Sequence, residues 1–222
     1  MNNQEKWTQL HGNSKHQPIY PHDIYIKCVF KNFKKESKIL DLGCGAGRHV
    51  KFLAENNYIT YGCDYSHSGV KHTKELLNQY NLKAQVELAN VNELPYENEF
   101  FDGILCWGVL CYNNKEVIEK AACEIYRVLK QDGKAFVLTR NLNDYRYKEK
   151  NRGGGVEYSI TIQENNPKRS AYAENGMNMY FFDKEEVKRV FSMFNNIEIN
   201  TLEIYHENNN ICDSDYVILL EK

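Results

Sequence analysis

The sequence predicts an α/β protein with a doubly wound, mostly parallel sheet. Short apolar runs alternate along the chain with longer helix-compatible stretches, which is typical of successive strand–helix–strand units. The chain has 222 residues, enough for one sizeable core, and no shift in composition divides it. We therefore expect one domain with helices on both faces of one sheet.

The first and clearest unit is the segment 38–50. Its apolar run ends at Asp41, glycines follow at alternate positions from Gly43, and helix-compatible residues resume at Arg48. This order predicts a strand, a tight turn and a helix. Because glycine accepts positive φ and leaves backbone N–H groups accessible, a ligand can approach this turn closely.

The remaining elements continue the alternation, with Ser66 or Ser68 and Asp183 as expected helix caps. We predict helices over 22–32, 48–56, 66–80, 115–129 and 184–194, and strands over 38–41, 59–64, 85–89, 101–106, 134–139, 197–205 and 215–220. The sheet is thus expected to have seven strands, with the last two linked across the polar loop 207–214.

Two segments interrupt the alternation. The lead 7–33 is aromatic-rich, and its helix either packs on the sheet or forms a lid over a ligand. The segment 141–182 is polar and contains a glycine run at 153–155; a connection of this length is usually functional or disordered. Its aromatic and charged residues either wall a pocket or form the core of an added subdomain: Glu157, Arg169, Tyr172, Tyr180, Phe181 and Phe182.

Composition excludes several classes of protein. The 28 Lys and Arg balance 30 Asp and Glu, so a protein that holds a long stretch of nucleic acid is not expected. The start lacks an apolar signal core and no run of about 18 apolar residues occurs, so we expect a cytoplasmic protein with no membrane partner. Seven cysteines form no Cys-x-x-Cys pair and are expected to be reduced core residues, with no metal site.

The glycine turn resembles the first motif of the class I S-adenosylmethionine-dependent methyltransferases. That motif is Asp-Leu-Gly-Cys-Gly-Ala-Gly at 41–47, and the resemblance extends over about 39–138, including Leu-Pro-Tyr at 94–96 and Phe-Asp at 101–102. A dinucleotide fingerprint would need glycine where the chain has Arg48 and seldom has an acid at the position of Asp41. The resemblance implies a Rossmann-like sheet with an antiparallel last strand, S-adenosylmethionine as cofactor and S-adenosylhomocysteine as product.

The carboxyl ends of the strands are where such a sheet binds its ligand. A carboxylate at Asp64, ending the second strand, can accept both hydroxyls of a ribose. By resemblance, Gly43 and Gly45 lie along the methionine part of the cofactor, and Asp41 fixes the turn or meets the amino group through water. The resemblance places four further positions at the cofactor: Tyr65 on the adenine face, Asn90 with Val91 where relatives have an acid, and Cys106 with Trp107 on its border.

The methyl acceptor is expected to be a hydroxyl or amine of a small molecule, with a sugar or metabolic intermediate among the candidates. The chain lacks both the Asn/Asp-Pro-Pro-aromatic stretch and the Pro-Cys setting of nucleic-acid base methyltransferases. Where many relatives have Val-Leu-His-His, it has Val-Leu-Cys-Tyr at 109–112. The catalytic residue is unassigned, with Tyr112, Tyr20, His22 and His206 as candidates and Arg140, Glu157 and Tyr180 as further residues near the expected pocket.

Three alternatives remain open: a noncatalytic protein that binds S-adenosylmethionine or S-adenosylhomocysteine, an RNA or protein methyltransferase, and a nicotinamide oxidoreductase. Within the single domain we expect an N-terminal cap or lid (1–37), a cofactor-binding core (38–140), an acceptor-side insert (141–182) and a closing helix with a strand hairpin (183–222). The protein is expected to be a monomer or a homodimer.

Overall fold

The computed structural model describes residues 2–13, 15, 17–150 and 157–222. Their nine strands are β1 (Lys38–Leu42), β2 (Ile59–Asp64), β3 (Gln85–Leu88), β4 (Phe101–Trp107), β5 (Leu129–Arg140), β6 (Ser159–Thr161), β7 (Asn178–Tyr180), β8 (Asn196–His206) and β9 (Ile211–Glu221). Their seven α-helices are α1 (Asn3–His11), α2 (Asp23–Asn32), α3 (Arg48–Glu55), α4 (His67–Gln79), α5 (Lys115–Val128), α6 (Tyr145–Lys150) and α7 (Lys184–Val190).

One sheet contains seven of these strands, in the order β3-β2-β1-β4-β5-β9-β8. The pairs from β3 to β5 are parallel, and β9 runs antiparallel between β5 and β8. The predicted fold class is confirmed, including the antiparallel last strand.

Helices cover both faces because neighbouring residues of each buried strand point to opposite sides. Leu40 of β1 belongs to a core that includes Ile125 of α5 and Val187 of α7. Ile39, the preceding residue, belongs to a second core with Val29 of α2 and Leu53 of α3. Burial of each such side chain contributes about 1.5–3 kcal/mol, so the two cores fix the sheet between its helices.

The structure corrects several predicted boundaries. β5 begins at Leu129, where it pairs with Phe101, and not at 134. α7 ends at Val190 and not at 194. β9 begins at Ile211, so the expected polar loop 207–214 is reduced to the tight turn 207–210, in which Glu207 and two asparagines adopt positive φ.

Two regions hold structure that the sequence did not predict. α1 begins before the aromatic lead and extends into it; the helix is capped by Asn2, whose side chain accepts from Glu5 N–H while the Glu5 carboxylate accepts from Asn2 N–H. In the insert, β6 and β7 form a two-stranded sheet of their own. The glycine run at 153–155 lies outside the described residues.

The aromatic residues of the insert serve as core. Phe181 packs with Tyr145, Tyr147 and Met179 in a cluster beneath β6 and β7. Tyr180 and Phe182 pack into the main core, and Tyr172 is 47% exposed. Between the two alternatives for these aromatics, the packing therefore favours the core of an added subdomain.

Five of the seven cysteines are buried, whereas Cys123 is exposed and Cys212 is partly exposed.

No helix within the described ranges is both long and apolar enough to cross a bilayer.

Asp41, at the end of β1, is a buried carboxylate beneath the glycine turn. Tyr25 Oη donates to its Oδ1 at 3.3 Å, and His49 Nδ1 lies 3.8 Å from the same oxygen. Its Oδ2 has no hydrogen-bond partner among the described residues. Burial raises the pKa of Asp41 to about 7, so the ionised form is costly in the folded protein.

We therefore expect the stability of the protein to fall as pH rises from about 4 to about 7, since the folded form retains a proton on Asp41 that the unfolded chain has lost. The Asp41→Asn variant keeps an acceptor for Tyr25 and removes the charge. The free energy of unfolding of Asp41→Asn minus that of wild type should be about 2 kcal/mol larger at pH 8 than at pH 5. Urea unfolding at both pH values measures this difference.

Asp132→Asn is the matched control, because Asp132 is exposed in the first part of β5, at a positive φ that asparagine also accepts. It should change stability equally at both pH values. An Asp41→Asn difference that does not vary with pH would contradict the raised pKa.

Candidate active site

A cavity of about 540 Å³ opens at the carboxyl ends of the parallel strands. Its floor is the turn after β1, and the residues that follow β2, β3, β4 and β5 surround it, as expected for a doubly wound sheet. α1 and the insert cover its sides. Parts of the chain that are distant in sequence thus meet at one site.

The glycine turn has the geometry that the sequence predicted. Gly43, Gly45 and Gly47 have φ values of 76°, 51° and 87°, all in the left-handed region that favours glycine. A Cβ on Gly43 would overlap the side chain of Val109, and one on Gly45 would lie 3.1 Å from His11 Nε2. The absence of side chains here keeps the backbone accessible from the cavity.

Hydrogen bonds tie this turn to the end of β2. The N–H groups of Gly43 and Cys44 both donate to the Cys63 carbonyl, at 2.8 and 2.9 Å. Gly45 N–H donates to Asp64 Oδ2 at 2.8 Å, and Ser66 N–H donates to Asp64 Oδ1 at the same distance. Burial raises the pKa of the Asp64 carboxyl, while these donors stabilise its ionised form.

Asp64 is therefore a fixed acceptor at the cavity wall. Each carboxylate oxygen uses one of its lone pairs on a backbone N–H, and each retains capacity for a ligand hydroxyl. Tyr65 also lines the cavity. The cavity is also lined by Asn90, Val91 and Trp107. Asn90 is exposed at the turn that follows β3.

Two cofactor positions of the sequence analysis lie outside the cavity lining. Asp41 is beneath the turn, and Cys106 is fully buried in the main core. Of the catalytic candidates, His22 and Tyr112 line the cavity, whereas Tyr20 is 82% exposed outside it. His206 lies on β8 with its ring 3.0 Å from Asp213 Oδ2, also outside the lining. The functional roles of all these residues stay predictions.

α1 supplies cavity residues that the sequence analysis missed: Trp7, Leu10 and His11. Its side chains hold it to both sides of the opening. Gln4 donates to the Tyr65 carbonyl at 3.0 Å, and Asn3 donates to the Tyr112 carbonyl. The Trp7 ring packs edge-on against Tyr112 with centroids 4.9 Å apart. The capping pair at positions 2 and 5 is the sequence signal that could have indicated this helix.

Arg48 is a cation on the cavity wall beside the glycine turn. Its guanidinium forms no ion pair within 4 Å of another described residue, and its one hydrogen bond is a long contact of 3.5 Å to the Tyr20 carbonyl. His49, the next residue, is kept neutral because burial lowers its pKa well below the ordinary value. Positive charge at this end of the cavity thus belongs to Arg48.

The opposite end of the cavity carries a network of charged side chains. Arg140 Nη1 lies 3.0 Å from Asp215 and 3.3 Å from Asp144. Arg146 binds Glu174 and Asp213, each at 2.7 Å. These partners come from the end of β5, α6, the turn Ser170–Glu174 and β9. Arg140, Glu174, Asp213 and Asp215 line the cavity.

Tyr112 is engaged in this network. Its Oη donates to Glu174 Oε1 at 2.8 Å, and burial raises the pKa of the phenol well above its ordinary value. A phenol that remains protonated and donates to a carboxylate is a poor general base at neutral pH. The geometry therefore favours a positioning role for Tyr112.

No group of three His, Cys, Asp or Glu side chains in the described part of the chain is arranged to hold a metal ion.

A family model described as a methyltransferase domain matches residues 39–133. An uncharacterized protein of Methanocaldococcus jannaschii is 34% identical over 133 residues, which are 60% of this chain and 48% of that protein. The ubiquinone biosynthesis O-methyltransferase of Coxiella burnetii is 29% identical over 115 residues, 51% of this chain and 47% of that enzyme. The chain thus spans about half the length of the curated relatives it matches.

Solved structures show the same fold over nearly the whole chain. An S-adenosylmethionine-dependent methyltransferase of Methanosarcina mazei has a TM-score of 0.68 at 17% identity, with 91% of this chain and 98% of that one covered. The sheet order and the glycine turn of this chain are consistent with the methyltransferase domain that the family model matches at 39–133. Residues 39–133 thus match a methyltransferase domain, and the chain shares its fold with an S-adenosylmethionine-dependent methyltransferase of solved structure.

Proposed function

We propose that the protein transfers the methyl group of S-adenosylmethionine to a hydroxyl or amine of a small molecule. The observation that carries this proposal is the single cavity that joins the glycine turn and Asp64 at one end to an enclosed polar network at the other. The first end has the features of a nucleoside site, and the second leaves a small walled space for an acceptor.

The residues at the first end fit the cofactor. Asp64 is held by two backbone N–H groups in an orientation suited to ribose hydroxyls. A Cβ on Gly43 or Gly45 would meet Val109 or His11, so glycine lets the turn lie against these two cavity-lining side chains. The unpaired Arg48 beside it is suited to a carboxylate such as that of the methionine part. We further propose that Tyr65, Asn90, Val91 and Trp107 surround the adenine and ribose.

When bound, S-adenosylmethionine supplies an activated methyl group that a nucleophile displaces in line. The contribution of the chain is then chiefly to position the acceptor and exclude water, and positioning alone can lower a barrier by about 7–11 kcal/mol.

In this proposal 1–37 is the cap, 38–140 the cofactor-binding core, 141–182 the acceptor-side insert and 183–222 the closing unit. Ser170, Ala173 and Glu174 at the cavity wall support the role of the insert.

The noncatalytic alternative predicts binding without turnover. Purified protein with S-adenosylmethionine should release S-adenosylhomocysteine when pools of small alcohols and amines are added. Tight binding of both adenosyl ligands, with no pool raising this release, would instead support a binding protein.

Titration calorimetry tests the cofactor site. We expect S-adenosylmethionine and S-adenosylhomocysteine to bind the wild-type protein and NAD not to bind. Asp64→Asn should weaken both adenosyl ligands by roughly tenfold or more, because it removes the charge that strengthens the ribose hydrogen bonds.

Asp132→Asn serves as the control and should bind like wild type. NAD binding by the folded protein, or equal adenosyl affinity in wild type and Asp64→Asn, would contradict the proposed site.

Hydrogen exchange tests the cap. If α1 closes over the cofactor, saturating S-adenosylhomocysteine should slow amide exchange in residues 3–11 by at least about tenfold, because ligand binding stabilises the closed form. Residues 115–128 of α5, which lie away from the cavity, are the internal reference. Equal exchange of α1 with and without the ligand would show that the helix is not a lid.

A further inference from the structure

The acceptor end of the cavity has an excess of negative charge. Four carboxylates, those of Asp144, Glu174, Asp213 and Asp215, face two guanidinium groups within the network. Three of the four carboxylates line the cavity, whereas Arg140 is the one guanidinium of the network that does so. Among the described residues, and leaving aside the His206 imidazole 3.0 Å from Asp213 Oδ2, the four carboxylates and two guanidiniums give this end two more negative than positive charges when all are ionised.

Both guanidiniums of the network are already paired with carboxylates. Arg140 Nη1 lies within 4 Å of three carboxylates, at 3.0, 3.3 and 3.8 Å. Arg146 is 5% exposed and binds Glu174, Asp144 and Asp213, with its remaining nitrogen on Ser170. An anionic acceptor would therefore meet repulsion from these carboxylates, and each guanidinium already lies within 4 Å of three of them.

Asp215 is the member of the network that has a carboxylate oxygen with no hydrogen-bond donor among the described residues. It is 9% exposed and lines the cavity. Its Oδ2 accepts from Arg140 at 3.0 Å, while no donor among the described residues reaches Oδ1. A buried carboxylate oxygen without a donor costs free energy, which a donor from a ligand would recover.

From these observations we infer that the acceptor is a protonated amine with an apolar body, held at the acidic end of the cavity, and that Asp215 Oδ1 binds and accepts its proton. This inference rests on the proposed function and narrows the acceptor to one chemical class. An ammonium group carries up to three donors and no acceptor, and it supplies the positive charge that this end lacks.

The neighbouring wall suits the rest of such a molecule. Leu138 of β5, Val109 after β4, and Leu202 and Ile204 of β8 line the cavity with aliphatic side chains. A hydrocarbon or aromatic body can pack against them while its amine reaches the network.

A protonated amine must lose a proton before its nitrogen can act as a nucleophile. The N–H bond breaks, its electron pair stays on nitrogen, and the proton forms an O–H bond at Asp215 Oδ1. Burial raises the pKa of Asp215 to about 6, while Arg140 and Arg146 favour ionisation and Asp144 and Asp213 oppose it. Asp215 is thus ionised near neutral pH yet more basic than an ordinary aspartate.

A matched set of probes tests the inference: benzylamine, benzyl alcohol and benzoate, titrated at about pH 7.5 into protein saturated with S-adenosylhomocysteine. Benzylamine should bind roughly tenfold or more tightly than either of the other two, because one charge-assisted contact is worth about that much. In Asp215→Asn and Asp213→Asn this preference should fall by at least about fivefold.

Asp132→Asn is again the control and should keep the wild-type preference. S-adenosylhomocysteine binding, measured first for each variant, shows that the variant is folded and that the proposed cofactor site stands. If that ligand binds but benzylamine binds no better than the neutral and anionic probes, or the preference survives in both network variants, the inference is overturned while the proposed function is not. If S-adenosylhomocysteine itself fails to bind wild type, the proposed function fails first.

Discussion

The hydrogen bonds between the glycine turn and the end of β2 determine how the rest of the site is arranged. Gly43, Cys44 and Gly45 donate to the carbonyl of Cys63 and the carboxylate of Asp64, so the turn after β1 cannot move independently of the neighbouring strand. This coupling leaves Asp64 with both oxygens oriented. The turn also requires glycine at these positions. Its backbone is left-handed there, and a side chain on Gly43 or Gly45 would meet Val109 or His11.

The charges of the cavity follow a gradient from one end to the other. Arg48 provides a cation beside the turn that forms no ion pair within 4 Å of another described residue, whereas the far end combines two engaged guanidiniums with four carboxylates. A ligand with a carboxylate at one end and positive charge at the other would be oriented by this gradient, because opposite charges interact strongly in a partly buried site. The same gradient would place a cationic acceptor where negative charge exceeds positive.

Local pattern was sufficient to predict the sheet, the glycine turn and the position of Asp64 at the end of β2. Asp64 and the glycines are close in sequence to the strands that position them, so strand, turn and helix signals located them. The acceptor end could not be found in this way. Arg146 joins Glu174 across 28 residues and Asp213 across 67, and such pairings depend on the tertiary fold. Tyr112 was a candidate base because of its position in the motif, but its hydroxyl donates a hydrogen bond to Glu174, 62 residues away. α1 was missed because its cavity residues are few and its polar face dominates the segment.

The crystal structure of the protein with S-adenosylhomocysteine would test the central claim most directly. The account predicts both ribose hydroxyls on the Asp64 carboxylate, the amino-acid part along Gly43 and Gly45 near Arg48, and the sulfur facing the space bounded by Tyr112, Arg140 and Asp215. An adenosyl group bound elsewhere, or one in the cavity with its sulfur turned away from that space, would contradict it.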